Sequence, residues 1–556
     1  MKRNTKKMTA VLTACAMMAM MLAGCGDTEK IATTEPKEST TAVSSEVADT
    51  SVTTEVQEEF SYPMDGRKVT VTNFLPGGVQ ESYDNMGDTE FTKALEKATG
   101  IDVEFTHDSG NSSEWFNFMI AEGKYTDIIE WAWSSDYPGG INSAYADGIV
   151  IKLNDVIDQY MPNFKAWCED NPDLVRYITD DEGNFYGIPY VNAKGATCTF
   201  GIYARKDWLE ELKIEMPTTI DEWHDALVSL KEKHGFAPIV TQANGFLKTG
   251  AFLNAYAPQC LSSRYSINVK TGEVEYTQAT EGYREYITTL AQWYKEGLID
   301  KDFISYDAAT VKAKFLNDQA AVAWGYAGSS IQTTLKEAAD LNPDLELVAC
   351  PVVAKEAGAE IYYNSASARL NGTYACITTQ CEDVEAAARY LDYYWSEEGK
   401  MLANFGIEGV SYTMKDGVPT YTDEILNNPD GLSVTSAMGK YIRSIAAFAG
   451  PADVNYLIGY YSAVPAASEA LVTWSEKGSG DYMLPKAMSF TTEETEKLAT
   501  VEPELHAYAD EMIVKFVLGT EDIETKWDEF VETCNRYGMK DAVGAYQASY
   551  DRLQAK

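Results

Sequence analysis

The chain has 556 residues, with 45 Lys and Arg against 85 Asp and Glu, for a formal charge of −40. So acidic a chain excludes nonspecific nucleic-acid binding, which needs the basic excess that displaces counterions, and it favours a soluble monomer. Its 35 Tyr, 19 Phe and 11 Trp make 12% aromatic, which serves a core and also suits a cleft that stacks and hydrogen-bonds a ligand.

The N-terminus reads as an export signal. Lys2, Arg3, Lys6 and Lys7 precede an uncharged, mostly apolar run from Met8 to Leu22, which Leu-Ala-Gly-Cys25 closes. That order is secretory, and the run is short for a membrane span of about 20 residues. A cysteine directly after Leu-Ala-Gly resembles the lipobox of bacterial lipoproteins, which implies cleavage before Cys25 and a diacylglycerol on its thiol. The formal charge would then move from −40 to −44, because residues 1–24 hold four basic residues and no acid. Residues 26–59 carry nine acids, two lysines and no aromatic residue. They cannot bury enough apolar surface to fold and read as a tether reaching roughly 30 Å.

From Phe60 onward strand and helix patterns alternate. Strands are expected at 68–75, 101–107 and 127–133, with helices at 89–100 and 112–124, and 149–160 leads into another helix. Later strands are expected at 197–205, 237–242, 320–327, 346–353 and 372–379. This alternation predicts α/β lobes with largely parallel sheets. Capping boxes start helices at Thr219/Glu222 and Thr491/Glu494, and residues 491–553 are nearly all helical in pattern. About 495 globular residues call for at least two domains. Trp208, Trp223, Trp293 and Trp395 fall on helices at apolar spacing and are expected in the core. The seven cysteines after Cys25 include no CxxC pair, and several lie in apolar runs; they read as buried small side chains.

Enzyme signatures are missing. His107, His224, His234 and His506 have no metal-ligand spacing, so no metal or other cofactor is expected. There is no GxSxG and no phosphate-binding loop. TDDEGNFYGIPY (179–190) lacks calcium-loop spacing and reads as a hairpin with a tight turn at Glu182-Gly183. The alternative is a secreted glycoside hydrolase or other carbohydrate-active surface enzyme, although a fitting pair among 85 carboxylates is a matter of abundance and carries almost no weight.

DIIEWAWSSDYPGG, GIYARKDWLEEL, MPTTIDEWHDALVSLKEK, FLNDQAAVAWGYAGSS, NFGIEGVSY and DAVGAYQASYDRL together resemble extracellular solute-binding protein family 1. The likeness covers about residues 60–553. It points to the large Gram-positive lipoproteins of carbohydrate ABC importers, and DIIEWAW resembles the sugar-stacking strand of maltose-binding-protein-like members. The resemblance implies a non-enzymatic, two-lobe periplasmic-binding-protein-like fold (type II). A hinge and interlobe cleft would bind a sugar or oligosaccharide and present it to an ABC permease, on a chain anchored by lipid to the outer face of the membrane. Aligned by element order, lobe 1 would be 60–193 and 352–405, and lobe 2 would be 194–351 and 406–553. Crossings would fall near Pro189–Ala196, Cys350–Val353 and Gly406–Ser411.

Ligands of open α/β sheets bind outside the carboxyl ends of strands, which selects the site candidates. Asn73 ends the first strand, to bind a hydroxyl or cap a turn. Trp131 and Trp133 end the third, two apart on one face, as sugar platforms or as core. Asp136 and Tyr137 follow in the loop. Tyr190 lies at the first crossing. Trp324 and Tyr326 repeat the two-residue spacing, and Glu408 is expected to bind ligand or fix the hinge.

Overall fold

The structure, a computed structural model, describes residues 61–108, 112–192, 198–247, 251–258, 264–363, 369–443, 449–478, 480–485 and 488–556. The export segment, Cys25 and the tether lie outside these residues, as do Cys260 and residues 193–196 of the first expected crossing. Among the described residues no helix is long and apolar enough to cross a membrane.

Among the described residues twelve strands form: β1 Arg67–Asn73, β2 Ile101–His107, β3 Ile128–Trp131, β4 Ile188–Val191, β5 Phe200–Arg205, β6 Tyr265–Ile267, β7 Val274–Tyr276, β8 Val322–Tyr326, β9 Leu347–Ala349, β10 Leu370–Ile377, β11 Tyr412–Lys415 and β12 Val418–Tyr421. A five-stranded sheet has the order β2-β1-β3-β10-β4, and a three-stranded sheet the order β8-β5-β9. β1 runs parallel to β2, with Val69 opposite Val103 and Val71 opposite Phe105, and parallel to β3. β2 alternates buried Ile101, Val103 and Phe105 with exposed polar residues, as a strand with one covered face must.

The sheets are less parallel than the sequence pattern suggests. β10 is antiparallel to β3 and β4, and β5 is antiparallel to β8 and β9. The reason is topological: each sheet receives one strand from chain that has just left the other sheet, and that strand enters against the rest. The strand expected at 237–242 is reduced to bridges from Ile239 to Ile299 and Val322. Pro238 has no N–H to give, and its carbonyl accepts from both Ala321 and Val322 at 3.0 Å.

Local chemistry sets the helix ends. Helix Glu90–Thr99 starts at Thr89, whose hydroxyl accepts from the Thr92 N–H, and stops at Gly100 with φ +71. A Cβ at Gly100 would meet the Met64 nitrogen at 2.6 Å, so only glycine fits this left-handed cap. Both expected capping boxes form, at Thr219/Glu222 and Thr491/Glu494. The C-terminal region folds as helices Thr492–Leu518, Ile523–Arg536 and Met539–Ala555.

Among the described residues the buried side chains assort into three clusters. One surrounds the five-stranded sheet, from Val69 to Val191 and Leu370 to Ala403 with Ala449. A second surrounds the three-stranded sheet, from Cys198 to Tyr363 and Tyr461 to Ala545. A third, small one runs from Phe405 to Ile442. Trp208, Trp223, Trp293 and Trp395 are all buried, although Trp395 lies in a turn between helices. A buried indole removes about 150–250 Å² from water, worth about 4–6 kcal/mol at roughly 25 cal/mol/Å². Cys198, Cys350, Cys376 and Cys534 are buried, and Cys168 and Cys381 are half-buried.

Candidate functional site

The parallel strands β1 and β3 bring their carboxyl ends to one edge of the five-stranded sheet, and each end is held from beneath. Asn73 is buried, and its Nδ2 donates to Glu130 Oε2 at 3.3 Å. Glu130 is itself buried and paired with the guanidinium of Arg443, 313 positions away. Burial works against the Arg443 charge, but Glu130 and the Tyr394 and Tyr390 phenols hold its guanidinium above the ordinary arginine range. Among the described residues Asn73 Oδ1, Glu130 Oε1, and Nε and Nη1 of Arg443 are buried without partners. Asn73 is therefore part of an internal polar network and caps no turn.

Trp131 is 4% exposed. Its ring stacks on Phe116 at 5.1 Å and 13° and lies 6.0 Å from Trp115. Its indole N–H donates to Asp136 Oδ2 at 2.8 Å. The expected common strand face of Trp131 and Trp133 does not form. β3 ends at Trp131, Ala132 turns the chain, and Trp133 begins the short helix Trp133–Asp136. Trp133 is fully buried edge-on against Phe116, and its N–H donates to the Ile129 carbonyl at 3.3 Å. Tyr137 lies 5.8 Å from Trp133, and its hydroxyl donates to Asp147 Oδ2 at 2.6 Å. Burial and this carboxylate both push the phenol pKa up. Sequence reasoning missed Phe74, the residue after β1, which is 46% exposed. The signal was there: after Val69, Val71 and Asn73, an aromatic residue just past the strand has no core position to fill.

The three-stranded sheet presents β8. Trp324 is buried on Gly245, where a Cβ would come within 2.3 Å of the ring. Tyr326, at the end of β8, is 43% exposed. Its ring meets Trp324 at 5.3 Å and Phe200 at 5.7 Å, both edge-on. Phe200 starts β5 and pairs with Tyr326 across the ladder.

The tyrosine-rich helix Val454–Tyr461 follows the bridge from Pro451 to Val191 of β4. The Tyr460 hydroxyl lies 3.0 Å from Thr435 Oγ1, its carbonyl accepts from Gln332 Nε2 at 3.5 Å, and Gly328 packs against Tyr460 and Tyr461. Tyr190, buried on β4, has its phenol pushed up to about 12 by burial. It is near enough to Tyr456 to raise that phenol as well, after burial itself. Glu408 stands exposed in the turn before β11, bridged to Tyr412 and apart from these groups. The turn at Glu182-Gly183 forms, with Asp180 Oδ1 accepting the Glu182 and Asn184 N–H groups, but no hairpin follows. Among the described residues no cluster of three or more His, Cys, Asp or Glu side chains fits a metal.

Chemically, the exposed rings of Phe74 and Tyr326 sit at strand carboxyl ends of two different sheets, and Tyr326 rests edge-on against Trp324 and Phe200. Such surfaces suit an apolar sugar face.

The sequence matches the description "Bacterial extracellular solute-binding protein" over residues 79–401. It is 22% identical over 522 residues to a fructooligosaccharide ABC transporter substrate-binding protein, FusA, of Streptococcus pneumoniae serotype 4, covering 90% of this chain and 93% of the relative. Lipoprotein LipO of Bacillus subtilis is 24% identical over 64% of this chain and 69% of its own length. Among solved structures, the alginate-binding protein AlgQ2 superposes with a TM-score of 0.67 at 23% identity, over 88% of this chain and 98% of that one. FusA in complex with kestose gives 0.67 at 19%, over 88% and 100%.

Proposed function

This chain belongs to the bacterial extracellular solute-binding protein family, and from that premise we propose that its solute is an oligosaccharide held between two lobes. The observation that carries the reading is the pair of exposed aromatics, Phe74 and Tyr326, at strand ends of the two sheets. FusA, similar along nearly the whole chain, is a fructooligosaccharide binder by name. The protein is not an enzyme; it returns its ligand unchanged and passes it to an ABC permease. Trp131 and Trp133 support the wall from behind, Asn73 sets the end of β1, and Asp136 and Tyr137 shape the loop. Tyr190 and Trp324 back the cleft, and Glu408, exposed in the turn before β11, stays outside both cleft and hinge.

The proposed lobes follow the buried clusters. Lobe 1 takes residues 61–192 and 369–452, and lobe 2 takes 198–363 and 461–556. Arg443 reaching Glu130 and Ser436 reaching Glu81 support keeping 406–443 with lobe 1. Tyr363 donating to Cys198 Sγ at 2.6 Å supports keeping it with lobe 2. The second crossing then follows Tyr363 instead of Cys350–Val353. The third becomes helix Val454–Tyr461 instead of Gly406–Ser411. The lipid anchor at Cys25 and the monomeric state complete the proposal.

Titration calorimetry of the full chain with kestose and longer fructooligosaccharides tests the reading, followed by mass spectrometry of the recovered sugar. Saturable binding with intact sugar is expected. Shorter products accumulating in proportion to protein would replace the reading with the hydrolase.

A further inference from the structure

A groove of 280 Å³ lies at the β4 edge of the five-stranded sheet. Trp167, Arg369, Glu397, Lys400, Asn404 and Asp453 supply its polar and aromatic lining. None of the strand-end residues of the candidate site borders it. Three separate stretches of chain are laced together here. Val191 donates its N–H to the Gly450 carbonyl at 3.1 Å and accepts from Ala452 at 2.8 Å, and Asn192 donates to the Arg369 carbonyl at 2.8 Å. Buried Asn404 ties the same strands to helix Glu397–Phe405. Its Nδ2 donates to the Pro451 carbonyl at 3.0 Å, and its Oδ1 accepts from the Asp453 N–H at 2.8 Å.

The charges in the groove balance in number, two cations against two carboxylates, but not in pairing. Lys400 is spent on Glu397, at 2.8 Å. Asp453 is spent as a helix cap, accepting from the Asn455 N–H at 2.7 Å. Arg369 makes no ion pair among the described residues, and its Nε is buried without a partner. Burial lowers its pKa, with no carboxylate acting against that. A guanidinium taken partly out of water and left uncompensated is costly, and its planar fork fits an oxyanion with two parallel hydrogen bonds.

We propose that this groove is an anion site in which Arg369 receives a small phosphate or carboxylate. The anion pairs with the Arg369 fork, Trp167 closes one side, and Glu397 opposes it by like charge. Asn192, Arg369 and Pro451–Asp453 adjoin the three proposed lobe crossings, so an occupant there stiffens the hinge and changes sugar affinity. This coupling rests on the two-lobe reading, whereas the binding of the anion does not.

The test measures thermal shift and calorimetry of the full chain with inorganic phosphate and, separately, with acetate. Ionic strength is held constant with potassium chloride, because general screening would otherwise mimic binding. A saturable shift is expected with at least one of the two anions, and which of them gives it identifies the oxyanion class. Arg369→Gln is expected to abolish the shift, and Arg369→Lys, which keeps the charge and loses the fork, to weaken binding about tenfold. Glu397→Gln is expected to tighten it. If Arg369→Gln does not fold, Arg369→Lys decides. A shift matched by chloride alone, or unchanged in Arg369→Lys, overturns the site. An identical sugar affinity with and without saturating anion overturns the coupling.

Discussion

Replacing Tyr326 by alanine should separate recognition from folding. The side chain is 43% exposed and touches its neighbours through two edge-on ring contacts, to Trp324 and Phe200. Such contacts are worth about 0.5–1.5 kcal/mol each, so the ligand-free protein should lose about 1–3 kcal/mol. For a domain of this size that is several degrees of melting temperature, at roughly 2–4 °C per kcal/mol. If the ring is a sugar platform, its loss should cost about 2 kcal/mol of binding, which is about thirtyfold in Kd. Tyr326→Phe keeps the platform and loses only the hydroxyl, so its affinity should stay close to wild type. Calorimetry with kestose and a melting curve of the ligand-free protein give both quantities. A Tyr326→Ala affinity within about twofold of wild type, with the fold intact, would remove the β8 end from the site.

Trp131→Ala should behave in the opposite way, because its ring is closed in by Phe116 and Trp115. A melting-temperature loss equivalent to about 3–5 kcal/mol is expected, with kestose affinity nearly unchanged in the folded fraction; a large affinity loss at wild-type stability would return Trp131 to the cleft. Glu502 has its carboxyl pKa raised by burial, so the folded state favours the protonated form, and stability gained on acidification fades as pH rises through the folded pKa. Glu502→Gln should therefore melt above wild type at pH 8 and converge with it toward pH 4, and the opposite ordering in melting curves would refute this. Cys25→Ser should release the chain from detergent-phase membrane extracts and abolish palmitate labelling, and retained label would refute the lipid anchor.

Local structure was legible wherever a short pattern carries the physics. The Val69/Val71 alternation, the Gly100 stop and the two capping boxes each depend on residues a few positions apart. Strand direction was not legible, because nothing within β5 or β10 records which way its partners run. Trp133 was misplaced because a period-two pattern extends through Ala132, whose turn leaves no mark in hydrophobicity. The site was legible as a set of strand ends but not as a set of exposed rings. Trp131 and Tyr326 read alike in the sequence, and only the packing of Phe116 against one of them tells them apart. The Glu130–Arg443 pair, 313 positions apart, gives no local signal at all.

The antiparallel insertion of β10 also bears on how the chain assembles. β3 takes one of its two partners from residues 370–377, some 240 positions downstream, and Arg443 arrives later still. Until that length has emerged, the strand Ile-Ile-Glu-Trp offers an open apolar edge and an unneutralised carboxylate. An N-terminal fragment ending before residue 370 therefore has no finished sheet to fall back on, and its exposed edge is a template for pairing with other chains. During synthesis and export the first half has to be kept apart from its neighbours, or kept unfolded, until the second half is there to close it.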